Sequence, residues 1–330
     1  MALPFCGAVY AGVDKMMSAI ALLVVGLVLL VIGGESLVRG AVKLAARLGV
    51  NPLVIGLVVV GFGTSAPELV ASVEAALAGA PGIAWGNIVG SNIANSLLIL
   101  GIAVVVAPLA LERASSLRDP LIAFVAALGL AAIALSGQGA VWMGLVGIGG
   151  ISVYVYAAYR HGKSADYTDE AAQLGPHTES LLRTILVTLF GLALLIGGGK
   201  ALVTGAVSLA ELLGMSQTVI GLTIVAIGTS APELATSIIA ARHRQMQVVF
   251  GNIVGSNIYN LLAIGGATMV IAPGPLPEAM IGRDIPIMLA AMLIPLVFAW
   301  FSWRLARWAG LALVLCYATY LAMLVFGQAS

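Results

Sequence analysis

Long apolar runs broken by short polar stretches set the pattern of this 330-residue chain. A helix needs about 20 apolar residues to span a bilayer. Cutting the chain at its polar breaks on that basis predicts helices over 17–47, 52–79, 84–107, 119–136 and 140–160. A second set is predicted close to 182–212, 217–242, 247–272, 284–301 and 305–327. Local chemistry agrees with these ends. Asn51 precedes Pro52 as a cap, Ser216 is the corresponding cap, Asp119 and Asp284 open the fourth helix of each set, and Pro108 and Pro273 are matched breaks.

The two sets are copies. Gly63-Thr64-Ser65-Ala66-Pro67-Glu68 recurs as Gly228-Thr229-Ser230-Ala231-Pro232-Glu233. The stretch from Gly86 to Asn95 likewise recurs from Gly251 to Asn260, and the differences 233 − 68 and 260 − 95 both give 165, half the chain. With five spans per copy, the second copy enters the membrane in the opposite sense, the plan of many secondary transporters. The expected fold is an all-α integral membrane protein of ten transmembrane helices in two inverted five-helix repeats. Residues 1–165 form the first repeat, 166–180 a cytoplasmic linker, and 181–330 the second.

Polar groups at membrane depth are expensive and by default functional. Pro67 cannot donate to the carbonyl four residues back, that of Gly63, so it opens the helix beside Thr64, Ser65 and Glu68. Asn87, Ser91 and Asn95 follow at i, i+4 and i+8, a stripe on the next helix. Thr229, Ser230, Glu233, Asn252, Ser256 and Asn260 repeat the set. Carboxylate, hydroxyl and carbonyl oxygens are what hard cations take, about six to eight of them for calcium. A proline can also be a plain kink, and buried Asn can be interhelical glue, so Asn87, Asn92, Asn252 and Asn257 stay open between glue and ligand. Glu68 and Glu233 have no Lys or Arg nearby in their own spans, and two such carboxylates brought together require a proton or a cation. Glu35 and Lys200 sit close enough to span ends to be structural or mouth-lining, and Glu74 is a weaker cation attractor.

Composition supports the membrane reading and removes other classes. Charged residues make up 9% of the chain and mean hydropathy is +1.10, against about 25% charged in soluble domains. The basic residues form no patch for nucleic acid, but they do report topology. With the N-terminus outside, twelve of them (Arg39, Lys43, Arg47, Arg113, Arg118, Arg160, Lys163, Arg183, Arg242, Arg244, Arg304, Arg307) face the cytoplasm. Only Lys15 and Arg283 face out, while Lys200 lies within a span. Both termini are therefore expected outside. The first 15 residues lack the basic start of a cleaved signal. Cys6 and Cys316 have no metal-ligand spacing, and His161, His177 and His243 fall in the linker and loops, which argues against a zinc hydrolase at depth and against an enzyme or a cofactor. Small-x-x-x-small spacing at Gly86 with Gly90, and Gly251 with Gly255, predicts close helix packing.

These motifs closely resemble the paired alpha-repeats of the cation/calcium antiporter superfamily, and within it the prokaryotic sodium/calcium exchangers. The resemblance covers almost the whole chain. It implies that Glu68 and Glu233 bind calcium with Thr64 and Thr229, and that Ser65, Ser91, Ser230 and Ser256 with backbone carbonyls, Gly61 and Ala226 among them, complete sodium sites. Asn95 and Asn260 close the second stripes, where several relatives carry Asp; two neutral residues there imply independence from potassium. The absence of the extra Glu of many calcium/proton exchangers implies sodium coupling. The expected function is sodium/calcium antiport by alternating access across the inner or plasma membrane. Calcium and sodium are the transported ions, the bilayer is the partner, and a monomer suffices. Calcium/proton exchange, potassium-dependent exchange and a cation channel are the alternatives.

Overall fold

The computed structural model describes residues 3–47, 64–110, 117–161, 180–244, 246–301 and 304–327. The Asn51–Pro52 cap, the 52–63 part of the second expected helix, the Gly61 carbonyl and the linker up to 179 lie outside these residues.

Apart from turns, the described residues are helical with one two-stranded clip. α1 runs Leu3–Arg47. It starts well before the expected 17, with Pro4 in its first turn, where a missing N–H costs nothing; its most apolar window is Asp14–Leu37. α2 is Ala66–Leu77 and α3 Pro81–Val106. β1, Leu109–Ala110, precedes α4, Arg118–Leu135, and α5, Val141–His161. α6 is Leu181–Leu213, capped by Ser180, whose Oγ accepts from Arg183 N–H at 3.2 Å. α7, Gln217–Thr229, is bent by 46° from α8, Ala231–Arg242. The expected Ser216 cap is present, its Oγ accepting from Val219 N–H at 3.3 Å. α9 runs Met246–Ile258, widens through a π turn at Tyr259–Ile264 and ends as Gly265–Ile271. After a single turn at Glu278–Ile281 come α10, Asp284–Phe301, β2, Arg304–Leu305, and α11, Arg307–Phe326. Among the described residues seven helices are long and apolar enough to span a membrane, eight when α7 and α8 count as one broken span. The protein is an all-helical membrane protein.

α1 and α6 pack along much of their length. In lipid, such packing depends on close backbone approach rather than on hydrophobic drive, and here glycines supply it. A Cβ at Gly26 would lie 2.5 Å from Leu202 N, one at Gly33 2.8 Å from Leu195 N, and one at Gly205 2.7 Å from Ala19 O. Numbers rise along α1 as they fall along α6, so the two helices are antiparallel. The glycines recur every seven residues, two helical turns, which keeps them on one seam.

α3 sits at the centre, buried over most of its surface. It meets α7 through Gly86 and Gly90, where a Cβ would come 2.8 Å from Thr218 O and 2.8 Å from Leu222 O. The expected close approach of that pair is therefore present. At Gly251 and Gly255 no described atom lies within 4 Å of such a Cβ.

The sequence repeat is carried into the element boundaries. Ala66–Leu77 becomes Ala231–Arg242, and the π turn Ala94–Ile99 in α3 becomes Tyr259–Ile264 in α9, each at 165. The last two helices slip by one residue: Pro120 and Pro286, Gly144 and Gly310, and Tyr154 and Tyr320 all differ by 166. The contacts agree with this slip, because Gly144 packs on Gly266 and Gly310 on Gly101, itself 165 before Gly266. β1 and β2 pair antiparallel, Leu109 opposite Leu305, and Arg307 Nη2 donates to Val106 O at 3.3 Å. This clip ties the end of α3 to the start of α11.

Candidate functional site

The broken helices position the carboxylates. Pro67 and Pro232 fall in the first turns of α2 and α8, where a missing N–H costs nothing because those donors have no intrahelical partner anyway. Each helix begins after a serine, Ser65 or Ser230, whose carbonyl accepts from Leu69 or Leu234 N–H at 3.1 Å. Glu68 and Glu233 thus lie in first turns, at the positive ends of two helix dipoles. Both are buried, at 1% and 0% exposure.

Ser-x-x-Glu is the spacing of a local capping box, yet neither serine caps its own helix. The hydroxyls cross instead. Ser65 Oγ donates to Glu233 Oε1 at 3.2 Å and Ser230 Oγ donates to Glu68 Oε1 at 2.9 Å. The two halves are thereby joined carboxylate to hydroxyl, in both directions. The carboxylates are close enough to act on each other's charge, and the Thr64 and Ser256 hydroxyls also act on Glu233.

A second layer fixes α2 and α8 against the central helices. Asn87 Nδ2 donates to the Glu68 carbonyl at 3.1 Å and to Ser72 Oγ at 2.8 Å, and its Oδ1 accepts from Thr229 Oγ1 at 2.9 Å. Asn252 repeats this with the Glu233 carbonyl at 3.3 Å and Ser237 Oγ at 3.1 Å. Asn87 and Asn252 thus make the interhelical bonds of the glue reading through their Nδ2 groups. Asn257 bridges the halves: its Oδ1 accepts from Asn95 Nδ2 at 3.1 Å and its Nδ2 donates to Ser96 Oγ at 3.0 Å. Asn92 bonds back to its own helix at Ile88 O, 2.7 Å away.

Among the described residues several buried oxygens of these motifs find no hydrogen-bond partner: Glu68 Oε2, Glu233 Oε2, Ser91 Oγ, Asn95 Oδ1 and Asn260 Oδ1. Most buried polar atoms in proteins are satisfied, so this concentration of bare oxygens on the duplicated motifs stands out, with Asn260 Nδ2 bare beside them. Ser65, Glu68, Ser91, Asn95, Thr229, Ser230, Glu233, Ser256 and Asn260 are all buried, and Thr64 is half-buried. The Ala226 carbonyl accepts from Ser230 N–H at 3.2 Å, within the helix. Among the described residues no cluster of three or more His, Cys, Asp or Glu could hold a metal. The bare oxygens beside the two carboxylates are neutral ones.

The remaining charges sit elsewhere. Glu35 is exposed and paired with Arg39, and Lys200 is exposed. Glu74 is half-buried against α6 near Gly199. Asp119 pairs with Arg118 at 2.9 Å inside the first turn of α4, while Asp284 is wholly buried and held by Arg283 at 3.0 Å and by Tyr320 Oη at 3.0 Å. Ser72, Ser237, Ser96 and the bridging role of Asn257 were missed in the sequence. Ser72 and Ser237 carried a usable signal, since each lies four residues after its glutamate in both copies.

An all-helical membrane architecture with two buried carboxylates, each hydrogen-bonded to a serine of the other half, and bare oxygens around them fits the class of membrane ion transporters. Residues 18–160 and 183–326 each match the family model for sodium/calcium exchanger protein. The chain belongs to that family and is a sodium/calcium antiporter. The sodium/calcium exchanger MaX1 of Methanosarcina acetivorans is 32% identical over 342 residues, covering 92% of this chain and 98% of that protein. Inner membrane protein YrbG of Escherichia coli is 32% identical over 320 residues, covering 94% and 97%. The structure of the sodium-calcium exchanger NCX_Mj soaked with 10 mM Na+ and 10 mM Sr2+ aligns with a TM-score of 0.65 at 27% identity, covering 93% of this chain and 98% of that one.

Proposed function

We propose that exchange runs through a single shared site in which Glu68 and Glu233 hold calcium, and in which Thr64, Ser65, Ser91, Asn95, Thr229, Ser230, Ser256 and Asn260 complete the calcium and sodium coordination. The observation that carries this is the reciprocal pair of Ser-to-Glu hydrogen bonds with a bare oxygen left on each carboxylate. A hydroxyl that donates its proton to a carboxylate keeps lone pairs for a cation. Ser65 and Ser230 can therefore orient the glutamates and ligate sodium at once.

Charge sets the coupling. Two carboxylates supply −2, which one calcium neutralises. Sodium must bring more than two charges to be driven by the membrane potential, so about three sodium ions exchange per calcium, since each charge moved is worth about 2.3 kcal/mol per 100 mV. Both ions together would leave uncompensated positive charge in a medium of low dielectric, and an empty, doubly negative site crosses poorly. Mutual exclusion then suffices for antiport, with sodium entering and calcium leaving. We place the chain in the inner or plasma membrane as ten spans in two inverted repeats, both termini outside. The basic-residue count and the antiparallel α1–α6 pair support this placement. The Glu68→Gln and Glu233→Gln variants are each expected to remain monodisperse and to lose sodium-driven calcium uptake in everted vesicles. Near-normal uptake by either variant overturns the shared site, and calcium flux without any sodium gradient would indicate a channel.

A further inference from the structure

The hairpin of α4 and α5 is splayed. α4 rests on α9 and α10, and α5 rests on α9, rather than on each other. Between them lies a groove of about 300 Å³ lined by Arg118, Ile122, Gly150, Val153, Tyr154 and Ala157. The α5 residues fall at i, i+3, i+4 and i+7, one helical face, and Arg160 continues the stripe three residues on. Gly150 is part of the lining and adds no side chain to it; a Cβ there would stand 3.6 Å from Leu262 Cδ1, an ordinary contact, so a side chain at this position is sterically admissible.

The mouth is cationic. Arg118 is the first residue of α4 and Arg160 the penultimate residue of α5, so the hairpin brings both to the same end. Arg118 Nε donates to Asp119 Oδ1 at 2.9 Å. Arg160 Nε donates to Tyr156 Oη at 3.1 Å, with its guanidinium carbon 5.6 Å from the centre of that ring. Among the described residues two guanidinium groups and one carboxylate lie here beside a tyrosine, at the ends of apolar helices where the hydrocarbon meets the headgroups. The second hairpin differs at the equivalent positions. At the offset of 166, Cys316 stands for Gly150, and buried Met288 for half-exposed Ile122. Tyr320 stands for Tyr154 and closes on Asp284.

We propose that the groove between α4 and α5 holds one acyl chain of an anionic phospholipid, with its phosphate on the Arg118 guanidinium and Arg160 beside it. An apolar slot ending in arginine matches a lipid's two parts, because guanidinium binds phosphate through paired N–H donors and basic pockets between spans take anionic headgroups. Native mass spectrometry of the detergent-purified protein, incubated with phosphatidylglycerol or with phosphatidylcholine, tests this. The expected result is one phosphatidylglycerol retained under conditions that strip phosphatidylcholine, lost in Gly150→Leu, and no longer preferred in the double variant Arg118→Gln/Arg160→Gln. Thermal unfolding of the unaltered protein supplies a readout that needs no variant: phosphatidylglycerol is expected to raise the midpoint more than phosphatidylcholine. Equal retention or equal stabilisation by the two lipids overturns the proposal. So does undiminished retention by a monodisperse Gly150→Leu, or displacement of the bound molecule by inorganic phosphate.

Discussion

Gly197 and Gly198 are neighbours in α6, yet the structure assigns opposite consequences to the same substitution at each. Gly198 is buried in the seam with α1, where a Cβ would stand 2.9 Å from Leu29 Cβ, 2.9 Å from Leu30 N and 3.0 Å from Gly26 O. Carbon atoms at contact need about 3.5–4.0 Å. A leucine at 198 therefore forces α1 and α6 apart by about 1 Å at the Cβ alone, before its branched end finds room. Overpacking of this kind costs about 1–3 kcal/mol, and parting a seam that repeats at Gly26, Gly33 and Gly205 puts Gly198→Leu at about 3 kcal/mol, the top of that range. Gly197 is exposed with no described atom within 4 Å of a Cβ. Replacing an exposed helical glycine with leucine gains up to about 1 kcal/mol of helix propensity. The expected order of thermal midpoints in detergent, followed by intrinsic fluorescence and by recovery of the monodisperse peak after heating, is Gly197→Leu at or above the unaltered protein and Gly198→Leu well below it. Equal midpoints for the two variants, or a Gly198→Leu protein as stable as its parent, would refute the packing argument.

Three further outcomes follow from the site. Thr229→Val leaves Asn87 Oδ1 buried without its donor and is expected to cost about 1–3 kcal/mol of stability and to slow calcium uptake, whereas Thr229→Ser keeps the hydroxyl and stays near the parent in both; similar losses in both variants would dissociate the effect from the hydrogen bond. Exchange in liposomes clamped with valinomycin and potassium is expected to change rate with the polarity of the potential, because about three sodium ions on two carboxylates leave one net charge; polarity-independent initial rates would indicate two sodium ions per calcium. Replacing potassium by choline at fixed sodium is expected to leave calcium flux intact, since Asn95 and Asn260 supply no third carboxylate.

The duplicated motifs made the site legible because a carboxylate in an apolar run has few explanations, and a pair of them at one fixed offset has fewer. Helix bounds were also close where a cap marked them, as at Ser216, whereas the helix expected from 84 begins at Pro81. What escaped was geometry without a compositional signature. The π turns at Ala94–Ile99, Gly221–Val225 and Tyr259–Ile264 change backbone pairing and leave the hydrophobic pattern as it was. The one-residue slip of the last helices hid behind the exact repeat of the motifs, although Trp142 and Trp308, 166 apart, carry it in plain view. The crossing of the serine hydroxyls could not be read from spacing, because Ser-x-x-Glu allows a bond within one helix as readily as one between two. The hydroxyl and carboxamide partners of Asn257 likewise depend on how α3 meets α9, which no local pattern encodes.

The crossed bonds also bear on descent. Ser65 answers to Glu233 and Ser230 to Glu68, so the copy that carries a hydroxyl is never the copy that benefits from it. Selection on either serine acts through its sister, and the two copies cannot drift apart freely at these positions while the bonds persist. A single-copy ancestor with this arrangement would have had half a site, made whole only by a second molecule lying in the opposite direction.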